Sequence, residues 1–194
     1  MSKTVFVLAS ASPRRKEILE NIGIKAETIA SNADESVITG LSPEKTVMEL
    51  SVLKASSVAS ELRGNVIVIG ADTCVCLDGK IMGKPKHEED AFNMLSSLSG
   101  RTHDVYTGYC VIDVKTGKTE ARYEHTYVTF KSLCEKEIRS YIATREPMDK
   151  AGGYGIQKKG ALFVKKIEGD YFNVVGLPVC GLAELLKDEF SIVL

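Results

Sequence analysis

Apolar residues fall in short blocks along the chain, and the spacing inside each block separates strands from helices. Residues 4–8, "TVFVL", predict a strand; residues 13–21 predict a helix, with Ile18, Leu19 and Ile22 on one face and Gly23 as its stop. A longer helix is expected from Pro43 to Leu62, opened by Ser42-Pro43, with Val47, Leu50, Leu53 and Val58 on one side. Residues 66–69, "VIVI", are wholly apolar, as in a strand buried on both faces of a largely parallel sheet, and Gly70-Ala71-Asp72-Thr73 follows. Residues 74–77 and 80–82 flank Asp78-Gly79, a strong signal for a type I′ hairpin turn. Residues 87–98 place Ala91, Met94, Leu95 and Leu98 at helical spacing.

The second half changes character. Residues 104–114 and 118–130 flank Thr116-Gly117 as a long hairpin, and residues 135–143 predict a helix before a glycine-rich stretch. Residues 161–167 and 171–175 read as a strand pair around Gly169-Asp170, and residues 178–186 as a closing helix. No repeat or linker interrupts the pattern. The fold class expected is α/β, with a mixed, twisted and elongated sheet flanked by helices. One domain over residues 1–194 is expected, open to a split into two lobes around one cleft.

Composition narrows the function classes. The chain has 44% hydrophobic and 26% charged residues and a net charge of −1, which argues against a nucleic-acid partner or a membrane protein. Any functional positive charge must therefore be local. Five cysteines, with no C-x-x-C and mostly inside apolar runs, predict buried free thiols in a reducing compartment. His87, His103 and His125 are isolated from them and from one another, so a Cys/His metal site is not expected. Lys3, the apolar run and Ala9-Ser10-Ala11 mimic a secretory leader, but the run is shorter than the ~7–15 residues such a leader needs. A cytoplasmic location is expected.

Local positive charge appears at once, in Ser10-Ala11-Ser12-Pro13-Arg14-Arg15. Proline suits the first helical position, which makes Ser12 the N-cap. Unpaired N–H groups and the positive end of the helix dipole then meet two arginines, a setting for phosphate oxygens. The competing reading is a capped helix with solvated arginines, although arginine in a first turn opposes the dipole. Asp72 is expected just past the C-terminal end of an apolar strand, the edge where α/β sheets bind ligands. It could hold a divalent cation, take a proton from water, or simply make a turn. Glu35, Lys54 and Lys84 are solvated charges in isolation, yet with Asp72, Arg14 and Arg15 they make the kit for metal-assisted phosphoryl chemistry. In the glycine-rich run 149–157, glycines could admit a ligand close to the backbone and Gln157 could read a base edge, or the run is a plain loop. Residues 79–84 do not form a Walker A loop, being one residue short and on a hairpin.

"SASPRRKEIL", "GADT", "GKPK", "LSGRTHDVYTG", "EPMDKAGGYGIQ" and "IEGDYFNVVGLP" occur in this order over essentially the whole chain. In these motifs the chain resembles the Maf family of nucleoside triphosphate pyrophosphatases, with an inosine-triphosphatase-like fold around a central nucleotide-binding cleft. The resemblance implies hydrolysis between the α- and β-phosphates, with Asp72 as proton acceptor. It implies substrate contacts from Ser10, Ser12, Arg14, Arg15, Lys54 and Lys84, and specificity from Arg14, Thr73 and Gln157. A Mg²⁺ or Mn²⁺ ion on Asp72 and Glu35 is expected with it, and a homodimer is allowed. The forms of the last two motifs look like the dTTP/UTP branch, with a housecleaning role in the nucleotide pool. Gly153 stands where the family often has Ala, and Lys158 where it usually has Gly. The rival class is a nucleotide-binding regulator of septum formation that has no need of Asp72.

Overall fold

The computed structural model describes residues 4–194; Lys3 of the leader-like pattern lies outside the described residues. Its elements in order are β1 (Val5–Leu8), α1 (Pro13–Asn21), β2 (Ala26–Thr28), α2 (Pro43–Ala59), β3 (Val66–Leu77), β4 (Lys80–Met82), α3 (Glu88–Leu98), β5 (Thr102–Asp113), β6 (Thr119–Phe130), α4 (Glu135–Ile142), β7 (Val164–Glu168), α5 (Tyr171–Val175) and α6 (Val179–Phe190), with short 3-10 turns between them. The strands form one mixed sheet in the order β2-β1-β3-β5-β6-β7, and β4 pairs with β3. β1 runs parallel to both β2 and β3, whereas β3–β4 and β6–β7 are antiparallel. An N–H···O bond from Asp113 to Lys118 closes the turn end of the β5–β6 hairpin, and one from Phe130 to Arg101 closes its open end, both 2.9 Å.

Chain contacts divide the protein into two compact units: residues 4–72 with Thr107–Glu124 and Gly176–Leu194, and Thr73–Tyr106 with His125–Val175. In the first unit, α2 lies against the sheet over a core that includes Val7, Ala55, Val58, Val68, Cys110 and Ile112. Two glycines set how close it comes. A Cβ on Gly70 of β3 would lie 2.4 Å from the Ser51 carbonyl oxygen, and one on Gly108 of β5 would lie 2.2 Å from that of Val47. No side chain fits between the helix backbone and either strand.

In the second unit, α3 and α4 cover Leu95, Leu98, Phe130, Ile138, Tyr141, Tyr154 and Phe163. Asp78 and Gly79 both have positive φ (52° and 75°), as the type I′ hairpin turn requires. Inside this core His103 Nε2 meets the Tyr154 hydroxyl at 2.7 Å, which ties the glycine-rich segment to β5. Burial pulls the His103 imidazole down to about 4, so the ring is neutral at pH 7.

Several expectations need correction. The apolar strand does not stop at Ile69: β3 continues to Leu77, so Asp72 lies mid-strand rather than beyond a strand end. Gly70 marks the close approach of α2 there, and Asp72 does not make a turn. Residues 171–175 are helical, not extended. The Asp170 carboxylate accepts the Phe172 N–H (2.7 Å), and buried Asn173 donates to the Val105 carbonyl and the Thr126 hydroxyl, which holds the helical turn. Cys74, Cys76 and Cys110 are buried free thiols as expected, but Cys134 and Cys180 are exposed.

Candidate active site

The Ser10–Arg15 loop leads from β1 into α1, and its hydrogen bonds are arranged around the Ser10 hydroxyl. Ser12 is the N-cap residue with extended backbone and proline follows it, but its side chain does not cap the helix. Its own N–H instead donates to Ser10 Oγ at 3.2 Å. Arg15 Nη1 donates to the same oxygen at 3.1 Å, and Arg15 Nε donates to the Gly176 carbonyl at 2.8 Å. Ser10 Oγ thus accepts twice and its proton is left to donate outward. The Ser12 hydroxyl makes no hydrogen bond among the described residues. Two hydroxyl donors and the first-turn arginines Arg14 and Arg15 therefore stand at one helix N-terminus, which carries no acidic residue in its first turn.

Lys54 brings the two carboxylates together. It projects from α2 and its Nζ lies 2.5 Å from Asp72 Oδ1 and 3.1 Å from Glu35 Oε1. The Lys54 and Asp72 side chains are only 14% and 16% exposed, so water screens this pair little, while Glu35 at 53% reaches into solvent. Burial pulls the Arg15 guanidinium below its ordinary value; Asp72 and Glu35 oppose that shift and Arg14 adds to it, so all three charges act on Arg15. Asp72 Oδ1 is taken by Lys54, and no hydrogen bond from the described residues reaches Oδ2.

Ser10, Ser12, Arg14, Arg15, Glu35, Lys54 and Asp72 are thus gathered in the first unit. The other candidates belong to the second. Thr73 follows Asp72 on β3, half-buried and pointing to the opposite face of the strand. Lys84 is exposed in the segment between β4 and α3. Gln157 is half-buried at the start of a 3-10 turn, and Lys158 beside it has φ +54°, the left-handed region that explains why glycine suits that position. The structure adds Gly176, whose carbonyl orients Arg15. In the sequence it is visible only as part of the "NVVGLP" motif.

The donor set fits a hard divalent cation. Two carboxylates already converge on one positive point, the Lys54 ammonium, and Mg²⁺ is commonly held by one or two carboxylates together with substrate phosphates. Mn²⁺ suits the same oxygen donors.

The model of the Maf-like protein family matches residues 5–189. The chain belongs to that family. A protein of Alkaliphilus oremlandii (strain OhILAs) named dTTP/UTP pyrophosphatase is 50% identical over 186 residues, 96% of each chain. One of Clostridioides difficile (strain 630) with the same name is 52% identical over 96% of this chain and 95% of its own. Among solved structures, the Staphylococcus aureus Ham1 protein aligns with a TM-score of 0.47 and 17% identity, over 66% of this chain and 72% of that one.

Proposed function

We propose that this Maf-family chain hydrolyses dTTP and UTP to the monophosphate and pyrophosphate, with a divalent metal, as a housecleaning enzyme of the nucleotide pool. One observation carries the chemistry: Asp72, nearly buried, has one carboxylate oxygen on Lys54 and the other uncommitted, in the unit that also holds a serine–arginine anion loop. The names of the relatives at about half identity supply the substrate.

In this reading Ser10 and Ser12 donate their hydroxyl protons to phosphate oxygens, and Arg14 and Arg15 neutralise the triphosphate charge. Arg15 is held ready by Ser10 and Gly176, so little freedom is lost when the anion arrives. A water attacks the α-phosphorus, its proton passes to Asp72 Oδ2, and the bond from the α-phosphorus to the bridging oxygen breaks toward pyrophosphate. Lys54 holds Asp72 in place and, with Lys84, offsets charge on the leaving group. Asp72 and Glu35 are the residues that would hold Mg²⁺ or Mn²⁺, which supplies charge neutralisation and polarisation of the phosphorus. Gln157 reads the base, with Arg14 and Thr73 contributing to specificity.

The test is product analysis with purified protein. With Mg²⁺, dTTP and UTP should give the monophosphate and pyrophosphate with kcat/KM at least about tenfold above CTP or GTP, a difference of ~1.4 kcal/mol. Excess EDTA should abolish turnover. Nucleotide binding without pyrophosphate release would leave a nucleotide-binding regulator instead.

A further inference from the structure

Gln157 sits on a loop whose two ends are pinched together. A Cβ on Gly160 would lie 2.0 Å from the Gly155 carbonyl oxygen, so the residues flanking the tip 156–159 touch backbone to backbone. Two side chains outside the loop fasten this neck. The Tyr141 hydroxyl, on α4, accepts the Gly155 N–H at 3.2 Å and donates to Glu146 Oε1 at 3.0 Å. Glu146 Oε1 also accepts the Gly160 N–H (3.3 Å), and Oε2 accepts the Lys159 N–H (3.4 Å). One tyrosine–carboxylate pair therefore bonds the chain on both sides of Gln157. Tyr141 is 3% exposed, and burial pushes its phenol well above the ordinary value, so it stays a donor. The Lys150 ammonium donates to the Glu146 carbonyl (2.6 Å), and its side chain lies against Gly155, where a Cβ would meet Cε at 2.7 Å.

Such fastening matters for a glutamine reader. The side-chain amide carries a donor at one end and an acceptor at the other, and turning it over exchanges them. Thymine and uracil present an acceptor at O4 where cytosine presents an amino donor. A glutamine on a loop free to shift can also move to suit either base, whereas one whose backbone is held at a fixed place must meet O4 or the amino group from one distance and direction, where the mismatched pairing is not relieved by moving the loop. The tip needs outside help, because Lys158 has φ +54°, a left-handed conformation that a non-glycine side chain disfavours, which favours other loop conformations.

We propose that Tyr141 and Glu146 are the positioning residues for base discrimination: they lock the neck of the Gly155–Gly160 loop so that the backbone presents Gln157 to the base from one fixed place. The proposal rests on the reading of Gln157 as the base reader. Its test compares kcat/KM for dTTP and CTP in the wild type, Tyr141→Phe, Glu146→Gln, Gln157→Ala and the double variant Tyr141→Phe/Gln157→Ala. Each of the first two variants should shrink the dTTP:CTP ratio by about three- to tenfold, the factor that one lost hydrogen bond of this kind converts to. The change should fall mainly on KM, and it should disappear in the Gln157→Ala background. A drop in kcat equal for both substrates, with the ratio intact, would mean that the pair merely supports the fold and would overturn the proposal. So would full additivity in the double variant. If Gln157→Ala itself leaves the ratio unchanged, the base-reader reading fails first and takes this proposal with it. Phe keeps the packing of Tyr141 and Gln keeps an acceptor at Glu146; a thermal midpoint within a few degrees of the wild type accompanies the expected result.

Discussion

Asp72 has one oxygen committed and one open, and that division is what an aspartate needs to be both held and reactive. Replacing it with asparagine keeps the shape and the contact with Lys54 but removes the proton acceptor. Asp72→Asn should lower kcat on the order of 10²–10⁴-fold, while the Kd for dTTP, measured by calorimetry, stays within about tenfold of the wild type because the serine–arginine loop is untouched and the cation keeps Glu35 and the phosphate oxygens as ligands. A variant that keeps most of its kcat would remove Asp72 from the reaction. At this scale the sequence is informative where the chemistry is local. Ser10, Ser12, Arg14 and Arg15 lie within one loop, and a serine before a proline with two arginines after it is already visible there as a candidate anion site. Lys54 is opaque in the sequence, because its partner Asp72 lies 18 positions away and only the packing of α2 on β3 brings them together. Tyr141 and Glu146 are opaque for the same reason: their bonds reach 14 residues forward, to Gly155 and Gly160.

Helix α2 is the element that delivers Lys54, and its height above the sheet is fixed by Gly70 and Gly108. Gly70→Ala puts a methyl group into the α2 backbone, so the helix must lift. The expected cost is about 1–3 kcal/mol, a fall in Tm of roughly 2–4 °C per kcal/mol for a chain of this size. Because the lift also carries Lys54 away from Asp72, kcat should fall with it; an unchanged Tm and kcat would show that the contact is not tight. The helices α1 to α4 and the Asp-Gly hairpin are legible from spacing, caps and turn residues, since each carries its signal within its own span. β3 and α5 are not. Glycine at position 70 looks like a break in a strand, but its meaning is the helix packed above it. Tyr171–Val175 has the composition of a strand, and tertiary bonds through Asn173 with the Asp170 cap override that preference.

Taken as a whole, the molecule carries a net charge of −1, so its long-range field does not draw a triphosphate in. On the proposed function, affinity for one comes from Ser10–Arg15, Lys54 and a divalent cation acting at short range, which ties binding to chemistry at the same few atoms. The family match over residues 5–189 spans both compact units, in keeping with motifs spread from the first strand to the last helix. The central claim is that water, deprotonated by Asp72, attacks the α-phosphorus of a pyrimidine nucleoside triphosphate. Hydrolysis of dTTP in ¹⁸O-enriched water, followed by phosphorus NMR or mass analysis of the products, tests it directly. The account predicts one ¹⁸O atom in dTMP and none in pyrophosphate; label in the pyrophosphate, or dTDP and orthophosphate as products, would contradict it.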